Sequence, residues 1–469
     1  MCGIFGIIAQ ESIDRTDLKS LVKHSQRRGK DSSGLIFIKN DQYNICRADY
    51  NIDTLLNKIK PYNSSIVLGH SRLITNGLAD NQPVVRDDIF VLHNGIIVND
   101  KEIWGKLSVE RKFQIDSEVI AGIAIDHLNN GKDIAELADV IMNSCRGMVS
   151  CALVIQNLGK MILISNNGSL YVGQKNDATY FASENFTLTE LGCEEISQIH
   201  QSFKIIDVPV PSNLKYNLQD FNIRTENLIP EFKLDKTQES LLVYKKHNLK
   251  RCTKCVLPET MPFIYFNENG VCNYCLNYKI RNKPKPKEEL FKLVEPYRKK
   301  SGTECIVPFS GGRDSCYGLH LIIEELKLRP VTYTYDWGMV TDLGRRNISK
   351  MCADMGVENI IVAADISLKR KNIRMNLEAW LKSPNLGMMA MLTAGDKHFF
   401  RHVEDVKKQT GVNLNLWGVN PLEVTHFKTG FLDIKPDFEE DRVYSNGAMK
   451  QLRYHLKRFS AMMDSPGYF

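Results

Sequence analysis

The sequence predicts an α/β protein made of several domains in succession, and three stretches predict it. An apolar run from Ile306 to Phe309 reads as a buried strand, breaks into Ser310-Gly311-Gly312, and gives way to a helix-compatible segment, Cys316 to Leu326. The opening Met1-Cys2-Gly3 leads into a strand-like alternation punctuated by Gly3 and Gly6. Between these lie two CxxC pairs, Cys252/Cys255 and Cys272/Cys275, with sixteen residues separating them.

The 469 residues are enough for about three domains. Composition is that of a soluble globular chain, 43% hydrophobic and 25% charged. A net charge of +6 is mild for this length and does not point to nucleic acid. No apolar run approaches the ~20 residues that span a bilayer. The first ten residues lack the basic flank and cleavage site of a signal peptide. Twelve cysteines without a secretion signal imply reduced thiols, metal ligands or catalysis in a cytoplasmic protein.

The N-terminal half carries the first chemistry. Once Met1 is removed, Cys2 bears both a thiol and a free α-amine. An amine of pKa ~8 can accept the thiol proton, so nucleophile and base share one residue. Further on come Arg28-Gly29-Lys30-Asp31-Ser32-Ser33-Gly34, Gly69-His70-Ser71-Arg72-Leu73-Ile74-Thr75, His93-Asn94-Gly95, Asp116-Ser117-Glu118 and Phe181-Ala182-Ser183-Glu184. Taken in this order, they resemble the N-terminal nucleophile glutaminase domain of class II glutamine amidotransferases. Lys30 replaces a frequent proline, and Ile74 replaces an alanine. The resemblance implies an αββα sandwich over 1–210. It also implies that Arg72 binds the glutamine α-carboxylate, Asp116 binds its ammonium, and Asn94 with the Gly95 N–H forms an oxyanion hole. Each is a suitable donor or acceptor for that task. His93-Asn94-Gly95 reads as a turn.

Residues 211–250, which follow Val208-Pro209-Val210 and open with Pro211-Ser212, read as a linker with one strand. Segment 251–285 then holds the four cysteines. Two CxxC knuckles direct four thiolates at one ion, the closed shell of a structural zinc site. The wider string 252–275 resembles the N-acetyl sugar amidotransferases of bacterial surface-polysaccharide biosynthesis. The basic run Lys279, Arg281, Lys283, Lys285, Lys287 reads as solvated linker.

Residues 286–469 read as a parallel α/β domain. Its strands begin at Ile306, Pro330, Asn359 and Leu414 and carry polar residues at their carboxyl ends, where ligands of such sheets bind. Ser310 to Ser315 is suited to an anion: glycines let backbone N–H groups approach, and Ser310 and Ser315 add hydroxyls. Asp314 fits there only with a divalent cation between it and the phosphates. The string SGGRDS resembles the SGGxDS signature of the PP-loop ATP pyrophosphatases, with their adenine-nucleotide α-hydrolase-like fold. That implies ATP and Mg²⁺ at Ser310, Gly311, Gly312, Asp314, Ser315 and Asp336, with ATP cleaved to AMP and pyrophosphate. Glu423 and Lys428 fall in the acceptor and pyrophosphate region.

Together these imply a glutamine-hydrolysing, AMP-forming amidotransferase that passes ammonia to an N-acetyl sugar or nucleotide sugar. Its partners would be glutamine, ATP and that acceptor, with neither membrane nor nucleic acid, and a homodimer is compatible with it. Three other readings share some of the motifs. One is an asparagine-synthetase-like enzyme amidating a small acid or sugar uronate, another a tRNA-modifying PP-loop enzyme, and the third a scaffold with dead sites.

Overall fold

Alternation of period two builds the first layers. In Gly3–Ile8 (β1), Ile4 and Ile8 pack to one side while Phe5 and Ile7 pack to the other. The structure, a computed structural model, describes residues 2–74, 80–221, 248–279, 285–390, 392, 396–419, 426–438 and 448–468.

Strand β1 lies in an eight-stranded sheet with Ser32–Ile38 (β2), Tyr43–Ala48 (β3) and Ile66–Arg72 (β4). A five-stranded antiparallel sheet faces it. That sheet contains Val84–Arg86 (β5), Ile89–Ile97 (β6), Gly147–Ile155 (β7) and Lys160–Ser165 (β8). Tyr171–Lys175 (β9), Ala178–Ala182 (β10) and Glu194–Gln198 (β11) extend the first sheet, and Ser202–Asp207 (β12) extends the second. Ile4, Ile36, Leu68, Phe90, Leu92, Val154 and Leu163 fill the space between the sheets.

Helices Arg15–Ser25 (α1) and Ile52–Ile59 (α2) cover the outer face of the first sheet through Leu18, Leu21, Leu55 and Leu56. Glu118–Asn129 (α3) and Ile134–Ser144 (α4) cover the second through Val119, Ile123, Leu137 and Ile141. Asp14 and Asn51 cap α1 and α2 by accepting first-turn N–H groups. The result is four layers, helix–sheet–sheet–helix. The strand expected in the linker is Asn217–Phe221 (β13), added parallel to β3.

A second sheet system is parallel throughout. Cys305–Pro308 (β14), Pro330–Asp336 (β15), Asn359–Ala363 (β16) and Leu414–Asn415 (β17) take the order β16-β15-β14-β17. Arg313–Glu324 (α5) follows β14, and Asp342–Asp354 (α6) follows β15. The last strand is shorter than its apolar run. Leu416 N still donates to Ile306 O at 3.0 Å. Gly418 then comes against α5, where a Cβ would stand 2.9 Å from Asp314 O.

Two compact units result, and they do not follow chain order. The first combines 1–229 with 297–364 and 402–418; the second combines 230–296, 365–401 and 419–469. Residues 297–364 and 402–418, expected in a separate C-terminal domain, thus share a unit with the sandwich. Polar contacts join them. Arg28 Nη2 donates to Asn359 O (2.7 Å), Tyr171 OH to Glu358 Oε2 (2.6 Å), and Ala363 N to Arg27 O (3.0 Å). In the second unit the cysteine segment packs beside 426–438, with Tyr274 edge-on to Phe438 at 5.5 Å. Among the described residues, no helix is long and apolar enough to cross a membrane.

Candidate active site

Strand β1 delivers Cys2 to the end of β4, and both are central in their sheet. Cys2 N donates to Asn94 Oδ1 at 3.0 Å, and Cys2 Sγ lies 4.0 Å from Leu73 O. Asn94 and Gly95 do not form a turn. They sit within β6, in unbroken register with Ser150 and Val149 of β7. The glycine serves close approach instead, since a Cβ on Gly95 would stand 1.9 Å from Met148 O.

A buried polar network fixes this strand. His93 N donates to Gln82 Oε1 (2.7 Å), and Gln82 Nε2 donates to Ser117 Oγ (3.0 Å). His93 Nδ1 lies 2.9 Å from Ser117 Oγ, and Nε2 lies 3.1 Å from Met148 O. A carbonyl partner assigns the proton to Nε2, so Nδ1 accepts from the serine. Burial lowers the His93 pKa and favours this neutral ring. Nothing in sequence spacing marks Gln82 or Ser117 as partners of His93; only the fold brings them together.

Asp116 Oδ2 accepts from Ile97 N at 2.7 Å, which ties the carboxylate to the strand carrying Asn94. Asp116 does not cap a helix, and neighbouring Ser117 makes no side-chain cap bond to α3. Glu118 is structural: it forms a buried ion pair with Arg86 and accepts from Lys112 N and Phe113 N. Arg72 is buried, and Nη1 donates to Asp80 O. Burial lowers its pKa, while the neighbouring acidic groups, Asp116, Asp80 and Asp31 among them, oppose that shift. The loop 28–34 supports this corner. Asp31 N donates to Arg72 O (3.0 Å), Asp31 Oδ2 accepts from Ile74 N (3.0 Å), and a Cβ on Gly29 would strike the Arg72–Leu73 backbone. Cys2, Arg72, Asn94, Gly95 and Asp116 therefore converge, whereas Thr75 lies outside the described residues.

The 310–315 loop is the strand–turn–helix expected, with α5 starting three residues earlier than the apolar pattern suggested. Gly311 has φ +71°, and a Cβ there would stand 2.5 Å from Gly344 O. Ser310 Oγ and Ser315 Oγ are 3.1 Å apart, and Gly312 N donates to Ser310 Oγ at 3.4 Å. Asp314 is half-exposed in the first turn of α5. Asp336 is engaged internally: it is buried, pairs with Arg345 at 2.8 and 3.1 Å, and accepts from Gly338 N. Glu423 and the Lys428 side chain lie outside the described residues, although the Lys428 backbone belongs to helix His426–Phe431.

The four cysteine sulfurs lie within 4.8 Å of one another. Cys255 Sγ is 3.6 Å from Cys272 Sγ, and Cys252 Sγ is 3.9 Å from Cys275 Sγ. A disulfide needs about 2.05 Å, whereas four thiolates about 2.3 Å from one ion stand roughly 3.8 Å apart. The cluster therefore fits a tetrahedral ion. Burial alone would raise the Cys252 pKa, but N–H donation from Cys255, Cys272 and Lys254 outweighs it and leaves the thiol at about 6. Cys46, Cys145 and Cys151 are buried with raised pKa values, as inert core thiols should be.

Residues 70–190 match the family model described as a glutamine amidotransferase domain. The chain thus carries a domain of that class, and the matched span includes Arg72, Asn94, Gly95 and Asp116. Glutamine–fructose-6-phosphate aminotransferase (isomerizing) of Zymomonas mobilis subsp. mobilis is 29% identical over 211 residues, covering 43% of this chain and 34% of that protein. The Bartonella quintana protein of the same name is 28% identical over 193 residues, covering 39% and 32%. The chain spans about a third of the length of these curated relatives. Glutamine phosphoribosylpyrophosphate amidotransferase from B. subtilis, solved with ADP and GMP, aligns over 92% of each chain at 15% identity and TM-score 0.37. That likeness is too loose to transfer anything to this chain.

Proposed function

We propose that the protein hydrolyses glutamine at Cys2 and uses the ammonia to amidate an adenylated N-acetyl sugar or nucleotide sugar. The observation that carries the glutaminase half is the convergence of Cys2, Asn94, Gly95, Arg72 and Asp116. With Met1 removed, the α-amine takes the Cys2 thiol proton, and the thiolate attacks the glutamine amide. The Asn94 amide and the Gly95 N–H hold the oxyanion, and the α-amine returns the proton to the leaving ammonia. Water then releases glutamate from the thioester.

The synthetase half rests on the 310–315 loop at the carboxyl end of β14 in a parallel sheet. Backbone N–H groups and the Ser310 and Ser315 hydroxyls receive ATP phosphates. Asp314 offers the ligand for a magnesium ion, which would spread the charge of the departing pyrophosphate. The acceptor's acetamido oxygen attacks the α-phosphorus, and ammonia then displaces AMP to leave an acetamidino group. Zinc held by Cys252, Cys255, Cys272 and Cys275 supplies a structural cross-link. A cytoplasmic role in surface-polysaccharide biosynthesis follows from that acceptor.

The test is AMP release with ATP, Mg²⁺ and glutamine over a panel of acetamido sugars, their nucleotide derivatives, sugar uronates and aspartate. Mass spectrometry of the acceptor accompanies it. Exchange of an acetamido oxygen for NH establishes the reading. AMP formed only with aspartate or a uronate replaces the acceptor with a carboxylate, and no AMP from any ATP reaction removes the synthetase half.

A further inference from the structure

Ser349 comes from α6, between the parallel strands β15 and β16, yet its hydroxyl is built into the sandwich. Met148 N donates to Ser349 Oγ at 2.7 Å, and the Ser349 hydroxyl donates to Ile96 O at 2.7 Å. Ile96 and Met148 are register partners across β6 and β7, and Ile96 directly follows Gly95. Gly147 makes room for this contact. It has φ +100°, and a Cβ there would stand 2.2 Å from Ile96 O and 3.0 Å from Ser349 Oγ.

Ser349 is fully buried, so this is no incidental surface contact. The same rung controls the rest of the site. Met148 O accepts from His93 Nε2 and fills the space that a Cβ on Gly95 would need. A second contact holds α6 in place, from Arg346 Nη2 to Val98 O at 2.5 Å. On its other side α6 grips the 310–315 loop, where Asn347 Nδ2 donates to Gly311 O at 3.2 Å.

We propose that Ser349 is a positioning residue for glutamine hydrolysis. Its hydroxyl sets the spacing of β6 and β7 at Ile96 and Met148, and so aims the Asn94 amide and Gly95 N–H at the oxyanion. This rests on the glutaminase reading above. Without the hydroxyl, Met148 N–H loses a 2.7 Å acceptor and Ile96 C=O a 2.7 Å donor in a buried place, which favours a shift of the rung. Arg72 and the Cys2 thiol with its α-amine make no contact with that rung, whereas Asp116 is held by Ile97 N, on the same peptide unit as Ile96 O.

The test compares Ser349→Ala with the wild-type full-length chain in three measurements. The first two are glutaminase kcat and KM from glutamate release; the third is the rate of Cys2 alkylation by iodoacetamide, which forms no oxyanion. The expected result is kcat lower by about tenfold, less than the ~10²–10³ of losing an oxyanion donor outright. Alkylation should stay within about twofold of wild type, and KM should rise by less than kcat falls. Equal kcat values overturn the proposal. So does a parallel fall in kcat and alkylation, which marks a general loss of packing. A wild-type protein that forms no glutamate instead removes the glutaminase reading itself.

Discussion

The backbone N–H of Cys2 donates to the side-chain oxygen of Asn94 at 3.0 Å, joining the two sheets of the sandwich at the proposed nucleophile. That bond orients the amide with its oxygen toward Cys2 N and leaves the Nδ2 donor pair for an oxyanion. Asn94→Ala should lower kcat for glutamate formation by about 10²–10³ and leave KM within about threefold. Asn94→Asp, which cannot donate, should fall as far. Steady-state kinetics with glutamine decide it, and an unimpaired Asn94→Asp would rule the role out.

The Asp336–Arg345 pair should be structural first. Both side chains are about 5% exposed, and the contact is bidentate. Asp336→Ala leaves a buried guanidinium uncompensated, at a cost of about 3–5 kcal/mol. Replacing both partners, Asp336→Leu with Arg345→Met, should recover much of that loss. Urea unfolding followed at the parallel sheet reads both, and a single variant as stable as wild type would contradict it.

Protein purified without chelator should hold about one zinc per chain, and Cys272→Ser should hold far less. Stripping the metal should raise amide exchange across 250–279 while leaving β6 and β7 protected. Elemental analysis and hydrogen exchange test this. Absence of bound metal in the wild type would end the zinc assignment.

Stability should depend on pH through Glu358. Burial raises its pKa; the Tyr171 hydroxyl bond pulls it back, Glu184 raises it further, Arg28 lowers it, and the outcome is about 7. Between 4.5, its ordinary value, and about 7 the folded state holds a proton that the unfolded chain has released. This contribution is full below the ordinary value and is lost as pH rises to about 7. Glu358→Gln keeps an acceptor for Tyr171 and removes the titration. The thermal midpoint of wild type relative to Glu358→Gln should fall from pH 5 to 7 and level off by pH 8. Parallel curves would show that Glu358 does not titrate there.

Local chemistry was legible in the sequence wherever partners are close in chain or a motif names its own geometry. Gly311 at a positive φ between strand and helix is one case, and the CxxC knuckles are another. His93-Asn94-Gly95 shows the limit. An Asn-Gly pair is a turn signal, but here Met148 O occupies the space a side chain would need, and a straight strand wins. Ser349, Gln82 and the reach of Arg28 to Asn359 were not legible. Each acts through a partner chosen by sheet packing, 331 residues away for Arg28, and no spacing rule encodes that distance.

If Ser349 spaces β6 and β7 as proposed, its hydroxyl also sets an order of events during synthesis. Ser349 lies 201 residues after Met148. At translation rates of about 5–20 residues per second, that separation takes roughly 10–40 s to emerge. Over that interval the nascent sandwich has Cys2 and both strands, but lacks the hydroxyl that bridges them. Such a long-range closure also raises contact order and slows folding. On the proposed reading, a nascent N-terminal half would meet glutamine with Asn94 and Gly95 unaligned, which would delay ammonia release until Ser349 has been made.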